Sequence, residues 1–172
     1  TLGGTADITT NGDVTLGRSD KSFSDRASNI QVQSGKFTIL GSSIELYNGD
    51  AGLTAKDNTT VTLKSAGNLN LSLLGESGGT FAFGKNSTVN LEAGNAINAF
   101  RSVTTDSGST VNITAGSANL YGGQYAPAPM TVSADTINIT ADNLSTSNNY
   151  STTKLNAGKT LTIANKTANT AI

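Results

Sequence analysis

The sequence contains no cysteine and no histidine. Their absence removes the side chains that form the common zinc, copper and thiol sites. Nucleophilic triads also lose their usual general base. We therefore expect no metal, no cofactor and no enzymatic activity. The lack of cysteine fits either a reducing cytosol or a secreted protein that stays unlinked during export, and composition leaves both open.

Charge and long apolar runs are scarce as well. Charged residues make up 13% of the chain and the net charge is −1, where about a quarter charged is usual. The few basic residues are scattered, so the sequence lacks the electrostatic footprint of a nucleic-acid-binding protein. No apolar stretch approaches the roughly 20 residues of a membrane span, and we expect no membrane insertion by this segment.

What the sequence does contain is an apolar–polar–apolar triplet that recurs every 20–26 residues. Its occurrences are Ile44-Glu45-Leu46, Leu69-Asn70-Leu71, Val89-Asn90-Leu91, Val111-Asn112-Ile113, Ile137-Asn138-Ile139 and Leu161-Thr162-Ile163. Alternation with period two indicates a strand with its apolar residues on one side and its middle residue on the other. A period in the low twenties is typical of a solenoid.

Two further columns interleave with this one. The second contains Val14-Thr15-Leu16, Phe37-Thr38-Ile39, Val61-Thr62-Leu63, Phe81-Ala82-Phe83, Val103-Thr104-Thr105, Met130-Thr131-Val132 and Leu155. The third contains Ile8, Ile30, Leu53, Leu74, Ile97, Ala118 and Leu144. Three repeating strands predict an all-β, right-handed parallel β-helix, or β-solenoid, with three strands per coil and about seven coils of 20–26 residues. We expect residues 1–172 to form one such domain.

The recurring asparagines have a structural and a functional interpretation. Side chains one coil apart lie about 4.8 Å apart, so amide hydrogen bonds can pass along the stack. The predicted ladder comprises Asn70, Asn90, Asn112 and Asn138. The same outward ladder is also a candidate adhesive surface. By contrast, the apolar column containing Phe37, Phe81 and Phe83 is predicted to fill the bore.

Three segments depart from the repeat, at residues 18–26, 121–129 and 145–153. The first holds the densest charge in the chain, and the second holds both prolines. Tyr121, Gln124 and Tyr125 are candidate binding residues, because tyrosines on a proline-stiffened loop can contact a glycan or a protein. The alternative is that these segments are insertions or caps without a binding role.

Two other functional classes are compatible with a β-helix. A carbohydrate-active lyase or hydrolase would need clustered carboxylates, whereas Asp13, Asp57, Asp106, Asp135 and Asp142 are predicted to cap their own turns. An ice-binding solenoid would need flat ranks of threonine. The outward threonines of the second column are the candidates, at positions 15, 38, 62, 104 and 131.

Taken together, the Asn/Thr/Gly-rich triplets, the low charge and the lack of cysteine resemble the passenger region of bacterial autotransporter adhesins and, more loosely, filamentous haemagglutinin. The resemblance implies a cell-surface module tethered through an outer-membrane translocator outside this chain. It also implies attachment to a host-surface protein or glycan, or aggregation with like molecules in a biofilm. The chain would then be an excerpt of a longer passenger.

Overall fold

The computed structural model describes residues 3–16, 29–46, 52–71, 81–99, 101–122, 129–149 and 151–167. These residues form fifteen β-strands and no helix, so none of them belongs to a helix that could cross a membrane. The strands are β1 (Thr5–Thr9), β2 (Val14–Leu16), β3 (Asn29–Val32), β4 (Gly35–Gly41), β5 (Ile44–Leu46), β6 (Gly52–Ala55), β7 (Thr59–Ser65), β8 (Leu69–Asn70), β9 (Phe81–Phe83), β10 (Thr88–Ala93), β11 (Ala96–Ala99), β12 (Val103–Thr105), β13 (Thr110–Leu120), β14 (Met130–Ser145) and β15 (Thr153–Ala164).

The strands stack in three parallel columns, which confirms the β-solenoid. The first column is β1, β4, β7, β10, then the start of β13, the middle of β14 and the end of β15. The second is β2, β5, β8, β11 and the ends of β13 and β14. The third is β3, β6, β9, β12 and the starts of β14 and β15. The described strands thus form slightly fewer complete coils than the seven predicted.

The bore of the solenoid is filled by the apolar residues of the triplets. Val89, Leu91, Val111 and Ile113 are at most 2% exposed, while the residues between them reach the surface. Phe37, Phe81 and Phe83 are buried as predicted. They do not share a column, however, because Phe37 pairs with Val61 whereas Phe81 pairs with Leu53 and Val103.

The stacking order differs from the columns read off the sequence. Leu69 does not precede Val89 in a column; it lies between Ile44 and Ile97, and Val89 lies on Val61. The step from Val61 to Val89 is 28 residues, outside the predicted range of 20–26. The reason is the ten-residue connection between β8 and β9, which lengthens this coil. The shorter step from Leu69 to Val89 fits the apolar pattern equally well, but it joins strands of different columns.

Residues with left-handed backbone form the corner between the third and first columns. They are Gly35, Asn58, Asn86 and Gly108, with φ values of 78°, 59°, 55° and 77°. Glycine and asparagine tolerate this conformation best among the natural residues. A Cβ atom on Gly35 would lie 2.1 Å from the carbonyl oxygen of Gly4, so this corner excludes any side chain there.

Candidate binding surfaces

The first face is the outward side of the first column, and its middle is an asparagine ladder. Asn90 Nδ2 donates to Thr62 Oγ1 at 3.1 Å, Asn112 Nδ2 to Asn90 Oδ1 at 2.9 Å, and Asn138 Nδ2 to Asn112 Oδ1 at 2.8 Å. These bonds confirm the prediction that side-chain amides link successive coils. Each ladder amide thus gives one of its two N–H donors to its neighbour in the stack.

Asn70 does not belong to that ladder, contrary to the sequence prediction. It lies on the second face, the outward side of the second column, and is 7% exposed. There Asn70 Nδ2 contacts Glu45 Oε1 at 3.4 Å, Asn98 Nδ2 donates to Asn70 Oδ1 at 2.7 Å, and Asn119 Nδ2 to Asn98 Oδ1 at 2.9 Å. Sequence reasoning missed Asn98 and Asn119 because one neighbour of each is a small alanine, Ala99 or Ala118, where the other asparagine-centred triplets have a large apolar residue.

The outward threonines are also divided among the faces. Thr15 lies in the second column, Thr38 and Thr62 in the first, and Thr104 and Thr131 in the third. Thr104 pairs with Ser133 rather than with Thr131. The single rank of threonines predicted from the sequence is therefore wrong, because it joined strands from three columns.

The third face, the outward side of the third column, is a groove. Two adjoining hollows of about 600 and 540 Å³ share Thr105 and Asp106 in their walls. The floor is one file of side chains in register: Gln31, Thr54, Ala82, Thr104, Ser133 and Asn156. No feature of the sequence separates these outward residues from those of the other faces.

Two corner aspartates, Asp57 and Asp135, bond to neighbouring coils, which contradicts the prediction that they cap their own turns. Asp57 Oδ1 accepts from the Lys85 N–H at 2.9 Å, and Asp135 Oδ2 accepts from the Gly108 N–H at 2.8 Å. Lys159 Nζ lies 2.8 Å from Asp135 Oδ2 and, together with the Gly108 N–H, lowers the pKa of Asp135 below its ordinary value. Asp142 Oδ1 accepts from the Thr167 N–H at 2.7 Å, across about one coil, and hydrogen bonds from Thr167 lower the pKa of Asp142 below its ordinary value. These carboxylates therefore fasten coils together.

The long connections all join the second column to the third. They span residues 17–28, 47–51, 71–80, 121–129 and 146–152 and have five or more residues each, whereas connections at the other two corners have at most four. The remaining connection at this corner, 100–102, is short. The three departures found in the sequence, at 18–26, 121–129 and 145–153, thus fall at one corner. Residues 18–26 lie outside the described part of the chain.

Within that corner, the turn at 146–152 is fastened to the preceding connection. Asn148 Nδ2 and Ser151 Oγ both donate to the Gly122 carbonyl oxygen, at 3.0 and 3.2 Å. Ser147 and Thr152 form an antiparallel bridge that closes the turn. Tyr121 is partly exposed beside Gly122, whereas Gln124 and Tyr125 lie outside the described residues.

These features define the class of the protein as a parallel β-solenoid whose coils are linked by side-chain ladders. The chain matches no protein-family profile, no curated protein and no solved structure. In the part that the structure describes, no group of three or more acidic side chains is placed to hold a metal ion.

Proposed function

We propose that the chain is a cell-surface attachment module that binds a host protein or glycan, or like molecules, without catalysis. The supporting observation is the pair of asparagine ladders. They stiffen a rod whose outer faces are polar but almost uncharged, which suits many weak contacts along its length. In this proposal the module belongs to a bacterial adhesin, is held at the surface by an outer-membrane translocator outside this chain, and binds no nucleic acid.

Sedimentation over a range of concentrations tests self-association. We expect the wild type to associate weakly and the variant Asn90→Lys/Asn112→Lys to associate less, because like charges would face each other between molecules. The control is Asn95→Lys/Asn143→Lys, which adds the same charge at exposed positions outside the ladder of the first face. The melting temperature of each variant separates lost association from lost folding.

A second assay tests attachment to host ligands. Beads coated with the chain should adhere to matrix proteins or to glycans on cultured cells more than uncoated beads do. A wild type that stays monomeric contradicts self-recognition and leaves host attachment as the function. If the chain shows no self-association and no adhesion, the whole proposal is contradicted. If moderate salt abolishes association, the charged segment 18–26 is implicated instead.

One observation favours a carbohydrate-active enzyme as the second candidate. Asp106 and Asp135 belong to adjacent coils and line the same hollow of the third face. The lowered pKa of Asp135 keeps this carboxylate ionised, which suits a base and not a general acid. Release of reducing ends from a panel of polysaccharides, lost in Asp106→Asn, would support this candidate.

A further inference from the structure

The groove of the third face differs from the other two faces in its unused hydrogen-bonding groups. In the described part of the chain, the side chains of Thr54, Ser133 and Asn156 make no hydrogen bond to a protein group, and Thr104 makes one long bond of 3.3 Å to the Phe81 carbonyl oxygen. The asparagines of the ladders, by contrast, are bonded to one another. Donors and acceptors on the groove floor are therefore available to a ligand.

The shape of the groove indicates an extended ligand. The floor file crosses six coils, from Gln31 to Asn156. Five steps of about 4.8 Å give a length of about 24 Å along the axis. Ala82 makes the middle of the floor low, while the longer Gln31 and Asn156 stand at its two ends. A linear chain fits this trough better than a compact molecule does.

The charges around the groove disfavour an acidic polymer. Asp57 and Asp106 line one hollow together with Lys56, and Asp106 and Asp135 line the other. Lys159 neutralises Asp135, and Lys154 lies on the same outward side two residues before Asn156, so the charges around the groove nearly cancel. Phosphate, sulfate or carboxylate groups along a ligand would meet alternating signs here and not the row of basic side chains that binds a polyanion.

A peptide is also a poor fit to this surface. Extended peptides bind proteins mainly by adding a strand at a sheet edge, with apolar side chains in pockets. The groove floor is a sheet face whose edges are already paired with neighbouring coils, and Ala82 is its one apolar residue. Hydroxyl and amide groups repeated at the coil spacing suit a chain of hydroxyl groups instead.

From these observations we propose that the groove of the third face binds an extended neutral glycan along the solenoid axis, through the hydroxyl and amide groups of Thr54, Thr104, Ser133 and Asn156. The proposal rests on the attachment function above and assigns it a ligand class and a site. Each coil contributes one or two hydrogen bonds, so affinity should grow with glycan length until the chain spans the groove.

Affinity electrophoresis in gels containing neutral soluble polysaccharides tests this proposal, with heparin as the polyanionic probe. Thr54→Val/Ser133→Ala should weaken binding roughly tenfold or more, because two ordinary hydrogen bonds are lost. Ala82→Gln/Ser133→Gln should block the groove without changing charge. The control Thr60→Val/Thr88→Val removes two hydroxyls from the first column and should bind within about twofold of the wild type.

Each outcome decides the proposal. Weaker binding in both groove variants, with an unchanged control and unchanged melting temperatures, supports it, as does affinity for neutral oligosaccharides that stops rising near the groove length. Equal binding by groove variants and control, stronger binding of heparin, or no binding of any neutral glycan overturns it. If the groove assignment fails while the chain still self-associates or adheres, the attachment function stands; if association and adhesion are absent too, both fail.

Discussion

The first and third faces of the solenoid are built from equivalent outward positions of successive coils, yet they use their hydrogen-bonding groups differently. On the first face, Asn90, Asn112 and Asn138 bond to one another across the coils. On the third face, the side chains of Thr54 and Ser133 make no hydrogen bond to any described protein group. Equivalent outward positions are therefore bonded across the coils on one face and left unbonded on the other. The first face places asparagine on three successive coils about 4.8 Å apart, whereas on the third face Asn156 lies beside Ser133 and no two asparagines of the described floor are adjacent.

The largest expected effect tests the two sides of one strand of the first column. Ile113→Asp places an unpaired carboxylate in the bore, where Ile113 is 1% exposed, and should cost on the order of 4 kcal/mol or more. Asn112→Asp keeps an acceptor for Asn138 but sets two acceptors against each other at Asn90, and should cost about 1–2 kcal/mol. Urea unfolding measures both. Equal losses would mean that inward and outward sides have been confused.

The second prediction compares the faces directly. Asn112→Ala leaves Asn90 Oδ1 without its donor and Asn138 Nδ2 without its acceptor, at a cost of about 1–3 kcal/mol. Ser133→Ala removes a hydroxyl that bonds to no described group, so it should change stability by less than about 0.5 kcal/mol. Urea midpoints of the two variants provide the test. A similar loss in both would contradict the division of roles between the faces.

The inward and outward sides of each strand were predictable from the sequence because alternation is a local property. Val111, Asn112 and Ile113 specify their orientation whichever coil lies next to them. The order of stacking was not predictable in the same way. If Leu69 is moved from one column to another, every apolar residue still lies in the bore. The apolar pattern therefore does not identify the strand that stacks on β8. The correct stacking follows from the length of the connection at 71–80.

The groove could not be found from the sequence for a different reason. Thr54 and Ser133 look like any other outward polar residue, and what distinguishes them is that their side chains make no hydrogen bond to the next coil. For Thr54 this depends partly on which strands stack, because Ala82 lies between Thr54 and Thr104. The candidate residues on the ladders were recognised because asparagine has a known stacking chemistry. A surface defined by unused groups has no such signature.

The smallest expected effect concerns the carboxylates that fasten the coils beside the groove. Because Lys159 and the Gly108 N–H lower the pKa of Asp135 below 3.8, its contribution to stability is present above that pH and is lost as the pH falls through the lowered value. Asp135→Asn should therefore be less stable than the wild type at neutral pH, and the difference should shrink as the pH falls below 3.8. The exposed Asp7, whose side chain bonds to no described group, supplies the control Asp7→Asn. Thermal unfolding between neutral pH and strong acid measures the three proteins. A stability difference between wild type and Asp135→Asn that stays constant with pH would show that the charge of Asp135 does not stabilise the fold. The ion pair with Lys159 would then have no part in holding the coils beside the groove.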